Sequence, residues 1–145
     1  MRTLPLTHKR ITTAILSSGL AVIAAFSSMA AMSETVALTG SNEVPAVTTS
    51  ATGTANITIG ADRSVKASVT TKDVTATASH IHMGAAGSNG PVVVPFTKTG
   101  DTFSAAPDAK LTEEQYAAYK AGNLYVNVHS EKNKGGEIRG QLKGS

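Results

Sequence analysis

The 145-residue sequence has no cysteine, no tryptophan, and only three tyrosines and three phenylalanines. Without cysteine no disulfide can staple the fold, and a bacterial lipoprotein anchor is excluded. With so few aromatics the core has to be built from Val, Ile, Leu and Ala. Charge is scarce as well, at 16% of residues. The formal excess of +3 resides entirely in Arg2, Lys9 and Arg10, so the rest of the chain carries ten bases against ten acids. It forms no basic cluster, which argues against nucleic acid or an anionic membrane surface as a partner. There is no internal repeat and no low-complexity segment.

One long apolar run is present, from Ile11 to about Phe26. It follows the three basic residues and precedes Ser27-Ser28-Met29-Ala30-Ala31. Basic start, apolar middle and small residues at the end are the layout of a secretory signal peptide. The run is short for a membrane span of about 20 residues. Cleavage after Ala30 puts Ser28 and Ala30 at the two small-residue positions; cleavage after Ser33 is the alternative. The expectation is a signal peptide over 1–30, cleaved near 30–33, and one domain over 33–145. That domain is secreted or periplasmic and keeps no membrane anchor after cleavage. An exported chain that uses no disulfide draws its stability from its core or from a bound ion.

The mature part alternates apolar and polar residues in short runs. Ala55, Ile57 and Ile59 alternate on one face of a first run, and Val65, Ala67 and Val69 on the inward face of a second, across the turn Gly60-Ala61-Asp62-Arg63; this reads as a β-hairpin. Further strands are expected at 35–38, 74–83, 92–94, 102–105, 124–129 and 137–142, with Pro95 suggesting an edge position for the 92–94 strand. One helix is marked near 112–121. Thr112 and Gln115 have capping-box spacing, Leu111 can staple onto Tyr116, and Gly122 ends the helix. Seven or eight short strands with Gly/Pro/Asn/Asp turns predict an all-β fold, an antiparallel β-sandwich or partly closed barrel.

Two segments carry the residues with chemistry. In Ser79-His80-Ile81-His82-Met83-Gly84, the strand period of two puts His80 and His82 on the same side. They also share parity with Val74, Ala76 and Ala78, which predicts that they face the domain interior or a cleft at its end. The second segment is Tyr125-Val126-Asn127-Val128-His129, where His129 has the opposite parity to Leu124, Val126 and Val128. Parity alone leaves open whether His129 joins the pair.

These segments resemble the signatures of the CHRD domain, named after chordin. Ser79 to Gly84, followed by Gly87 and Asn89-Gly90-Pro91-Val92, resembles the first. Ala121 to Ser130 and then Gly136-Glu137-Ile138-Arg139-Gly140-Gln141-Leu142 resemble the second, and Leu38-Thr39-Gly40 with Glu43-Val44-Pro45 the opening pattern. The turn after His129 departs from the family by lacking a proline. The resemblance covers nearly the whole mature chain and implies an extracytoplasmic β-rich module without an established enzymatic activity.

Three chemistries compete for the histidines. Three imidazoles, His80, His82 and His129, suit Cu or Zn with one coordination position open. Alternatively, they belong to a structural polar network with Asn127, Glu137 and Arg139, the last two sharing a face of the final strand and able to pair. The third option is a site for an unknown protein or small ligand. No Gly-x-Ser-x-Gly elbow, phosphate loop or His-Glu-x-x-His is present, and Ser130 points away from its neighbour His129. The sequence is thus read as a non-catalytic, exported binding or interaction module, with a copper- or zinc-binding protein as the alternative.

Overall fold

The structure is a computed structural model that describes residues 30–144. Apart from its last residue, the expected signal peptide lies outside them. Eight antiparallel strands close into a barrel in the order β1-β2-β3-β6-β5-β4-β7-β8. They are β1 Met32–Thr39, β2 Thr52–Ile59, β3 Val65–Lys72, β4 Ala76–Met83, β5 Val92–Thr99, β6 Thr102–Ala105, β7 Leu124–Ser130 and β8 Ile138–Gln141. Among the described residues the one α-helix, α1 Glu113–Lys120, covers one end, and a 3-10 turn spans Gly40–Asn42. Of the two expected all-β architectures, the barrel is the one adopted.

Alternation builds the interior. In the β2–β3 hairpin Ala55 stands opposite Val69, Ile57 opposite Ala67, and Ile59 opposite Val65. Leu38, Ile81, Phe103, Val126, Val128 and Ile138 complete the core from the other strands. Each large aliphatic side chain so buried contributes about 1.5–3 kcal/mol. The helix begins as its sequence predicts: the Gln115 backbone N–H donates to Thr112 Oγ1 at 3.2 Å, and the Thr112 N–H to Gln115 Oε1 at 2.9 Å. Leu111 and Tyr119 are buried beneath it, and Gly122 follows its last turn with φ +74°.

Two expectations are corrected. First, His80 and His82 do not share the face of Ala76. The β4–β7 register shifts between Ala76 and Ala78, an irregularity that places one extra residue in β4 and reverses the parity beyond it. Ser79 and Ile81 therefore point into the core, fully buried, and the two histidines stand on the outer surface of the barrel. Second, β5 continues well past Pro95 and is not a sheet edge. It pairs with β4 up to Pro95 and with β6 from Phe96 onward. Pro95 thus falls where β5 has no β6 partner to need its missing N–H, and Val92 is exposed while Val94 is buried.

The barrel closes between β8 and β1 through one register pair, Arg139 with Thr39. Gly140 makes this contact possible. A Cβ there would stand 2.6 Å from the Ala37 carbonyl oxygen and 2.7 Å from a Leu38 methyl.

Candidate metal centre

Strand pairing brings the three histidines together. On β4–β7, Ala78 stands opposite His129, His80 opposite Asn127, and His82 opposite Tyr125. Because the β4 irregularity turns His80 and His82 outward, they share a face with Tyr125, Asn127 and His129. The question that parity left open is answered by pairing: one rectangle on the outer surface carries all five side chains. That surface is not bare. Residues 84–91 and 131–136 fold over it, so β7 is buried on both faces except at His129, which is half-buried.

Each outer loop is tied down by an imidazole. His82 Nδ1 lies 2.9 Å from the Gly90 carbonyl oxygen, and His129 Nδ1 lies 2.9 Å from that of Lys134. A carbonyl only accepts, so both Nδ1 atoms carry the proton, and both Nε2 atoms of the neutral rings present a lone pair. His80 Nδ1 donates to His129 Nε2 at 3.0 Å. His82 Nε2 is buried and has no hydrogen-bond partner among the described residues. Ligand nitrogens of the three rings lie within 4.8 Å of one another.

This donor set fits a Cu or Zn ion. Two ligands of a tetrahedral ion with bonds of 2.0–2.1 Å stand about 3.3 Å apart. The His80–His129 separation is already close to that, and a side-chain shift of about 1–1.5 Å brings in His82. For Nδ1 of His80 to face an ion, the ring would carry its proton on the far nitrogen. The backbone carbonyls of Gly90 and Lys134 hold Nδ1–H of His82 and His129, the kind of outer partner that would orient these imidazoles toward a metal.

Electrostatics hold His80 and His82 below the ordinary imidazole range. Burial, followed by the neighbouring His129 and His82, pulls His80 down from 6.5 to about 4. Burial also lowers His82, against an opposing pull from the Gly90 carbonyl. Neutral imidazole is the form that binds metal.

Behind His82 lies a stack that the sequence reading did not contain. The His82 ring lies over Tyr125 at a centroid distance of 4.9 Å and an angle of 7°. The Arg139 guanidinium carbon sits 3.4 Å from the centroid of the Tyr125 ring. Arg139 is 1% exposed, and its nitrogens donate to the carbonyls of Ala85 and Ser88 and to Asn89 Oδ1. The guanidinium thereby props the 84–91 loop and Tyr125 together. Glu137 is elsewhere engaged. It accepts from Thr49 Oγ1 at 2.7 Å, and the Ser130 hydroxyl is the main cause of its carboxyl lying below the usual range. No ion pair joins it to Arg139. The acid that faces Arg139 is Glu43, whose carboxyl burial pushes up while Arg139 and Asn127 pull it down. Glu43 reads in the sequence as turn chemistry, and nothing local signals that its side chain is buried 84 residues away from Asn127 in the chain.

The fold is a small all-β barrel that carries a covered side-chain cluster on one outer face. The chain belongs to the CHRD domain family, whose model matches residues 35–142. CHRD domains are modules of extracellular type that serve binding and interaction. No curated protein and no solved structure matches the chain. No helix among the described residues is long and apolar enough to cross a membrane.

Proposed function

We propose that this CHRD domain is an exported, non-catalytic binding module whose ligand is a Cu²⁺ or Zn²⁺ ion held by His80, His82 and His129, in the periplasm or outside the cell. The observation that carries the reading is His82 Nε2: a buried lone pair with no partner, in a ring whose other nitrogen is fixed as the donor. A buried acceptor without a donor costs about 1–3 kcal/mol, and a cation shared with two further imidazoles removes that cost. The surface supports a small ligand over a protein partner, since Val92 is the one large hydrophobic residue exposed among the described residues.

Titration calorimetry tests this. The protein should take up one Cu²⁺ or Zn²⁺ per chain, and the double variant His80→Ala, His82→Ala should take up none. Absence of uptake by the wild type, or equal uptake by the variant, refutes the assignment.

A further inference from the structure

Asn127 occupies the middle of the histidine cluster. It stands directly opposite His80 across the β4–β7 ladder, diagonal to His82, and two residues before His129 on the same face of β7. It is 2% exposed. Its amide oxygen has no hydrogen-bond partner among the described residues, as is also true of His82 Nε2. The amide nitrogen lies on the opposite side, toward Glu43. A Cβ built on Gly136 would touch Glu43 Oε1 and stand 2.8 Å from Asn127 Nδ2, so these two polar groups converge on one point of the 131–136 loop. The amide therefore lies between the Glu43 carboxyl, whose Oε1 is also without a hydrogen-bond partner among the described residues, and the His82 imidazole, and it acts on both groups. That leaves two buried acceptors side by side, His82 Nε2 and Asn127 Oδ1, with no donor between them. A metal ion on Nε2 satisfies the nitrogen. Unless the oxygen binds the ion itself, it is satisfied by a proton, and a proton can reach it on whatever molecule fills the position that three imidazoles leave open.

We infer that Asn127 is a specificity-determining residue of the three-histidine site. Its oxygen accepts a hydrogen bond from the molecule bound to the metal, and so selects ligands that carry O–H or N–H on the coordinating atom, such as water, hydroxide or an amine, over acceptor-only anions such as azide. The inference rests on the metal-binding reading above and adds to it the class of the fourth ligand.

Azide titration of the Co²⁺-loaded protein, followed in the visible spectrum, tests the assignment. In the wild type, azide displaces a proton-bearing ligand and strands the Asn127 oxygen; in Asn127→Leu there is no oxygen to strand. The expected result is one Co²⁺ bound in both, with azide binding about tenfold tighter to the leucine variant. Asn127→Asp keeps the shape and the acceptor, and should bind azide no more tightly than the wild type does. Equal azide affinity in wild type and Asn127→Leu overturns the inference. So does loss of Co²⁺ from a folded Asn127→Leu protein, since Asn127 would then be a metal ligand itself. If the leucine variant does not fold, the aspartate variant decides, and tighter azide binding by it than by the wild type overturns the inference. These outcomes leave the three-histidine site standing. A wild type that takes up no Co²⁺, Zn²⁺ or Cu²⁺ removes the site and the role of Asn127 together.

Discussion

His80 couples the cluster to pH. In the metal-free protein its folded value of about 4 lies below the ordinary 6.5. Between those two pH values the unfolded chain binds a proton that the folded chain refuses. The stability that comes from a neutral His80 is therefore complete above about pH 6.5 and disappears as the pH falls toward 4. The side chain is only half-buried, so solvent screening limits this contribution to about 1–2 kcal/mol. Urea midpoints of the metal-free wild type should fall between pH 7.5 and 4.5, and those of His80→Gln should fall less. Parallel pH profiles would show that His80 is not the group responsible. At this scale the sequence exposed the histidines themselves, because type and spacing are local. It did not expose Glu43, Tyr125 as a stacking partner, or the Gly90 and Lys134 carbonyls that fix the tautomers. A backbone carbonyl has no letter in a sequence, and a glutamate in a turn reads the same whether water or an amide faces it.

Two elements depend on single residues. Thr112 and Gln115 close the first turn of α1 reciprocally, and Thr112→Ala should cost about 1 kcal/mol, seen as a lower urea midpoint with an unchanged slope. An unaltered midpoint would mean that the packing of Leu111 and Tyr119 alone holds the helix. Gly140 lets β8 approach β1. Gly140→Ala forces the Ala37 carbonyl and the Leu38 side chain apart, at a cost of about 1–3 kcal/mol, with faster amide exchange in β1 than in β2. Exchange rates raised uniformly across the barrel would place the damage elsewhere. The capping box was legible because both partners lie within one helical turn. The β4 irregularity was not, since Ala76-Thr77-Ala78 continues the alternation of a regular strand and the slip exists only relative to β7. For the same reason the parity of His129 was correct and its environment was open: Tyr125, Asn127 and His129 alternate like a solvated face, yet loops from elsewhere in the chain bury it.

The whole molecule has no cysteine with which to form sulfur cross-links, and the proposed ion would be an external source of stability. A ligand that binds only the folded state at a hundredfold excess over its Kd contributes about 2.7 kcal/mol. For a domain of this size that is a rise in Tm of about 10 °C. Excess Zn²⁺ should raise the midpoint by that order, and should fail to do so in His82→Ala. A rise of the same size in the variant would place the ion outside the cluster. The barrel itself was legible in outline, as short alternating strands with turn residues between them. Closure was not, because it depends on which strands meet last, and Gly140 carries that information only once Ala37 is known to lie against it.

Arg139 belongs to two structures at once. Its backbone is the single rung by which β8 latches onto β1, and its guanidinium is the backstop that keeps Tyr125 flat beneath His82. The hoop of strands cannot spring open there without slackening the support under the imidazole. An ion clamped by that imidazole, as proposed, would in turn tighten the hoop, so that capture of the cation and integrity of the cylinder would be one mechanical event, transmitted through one side chain.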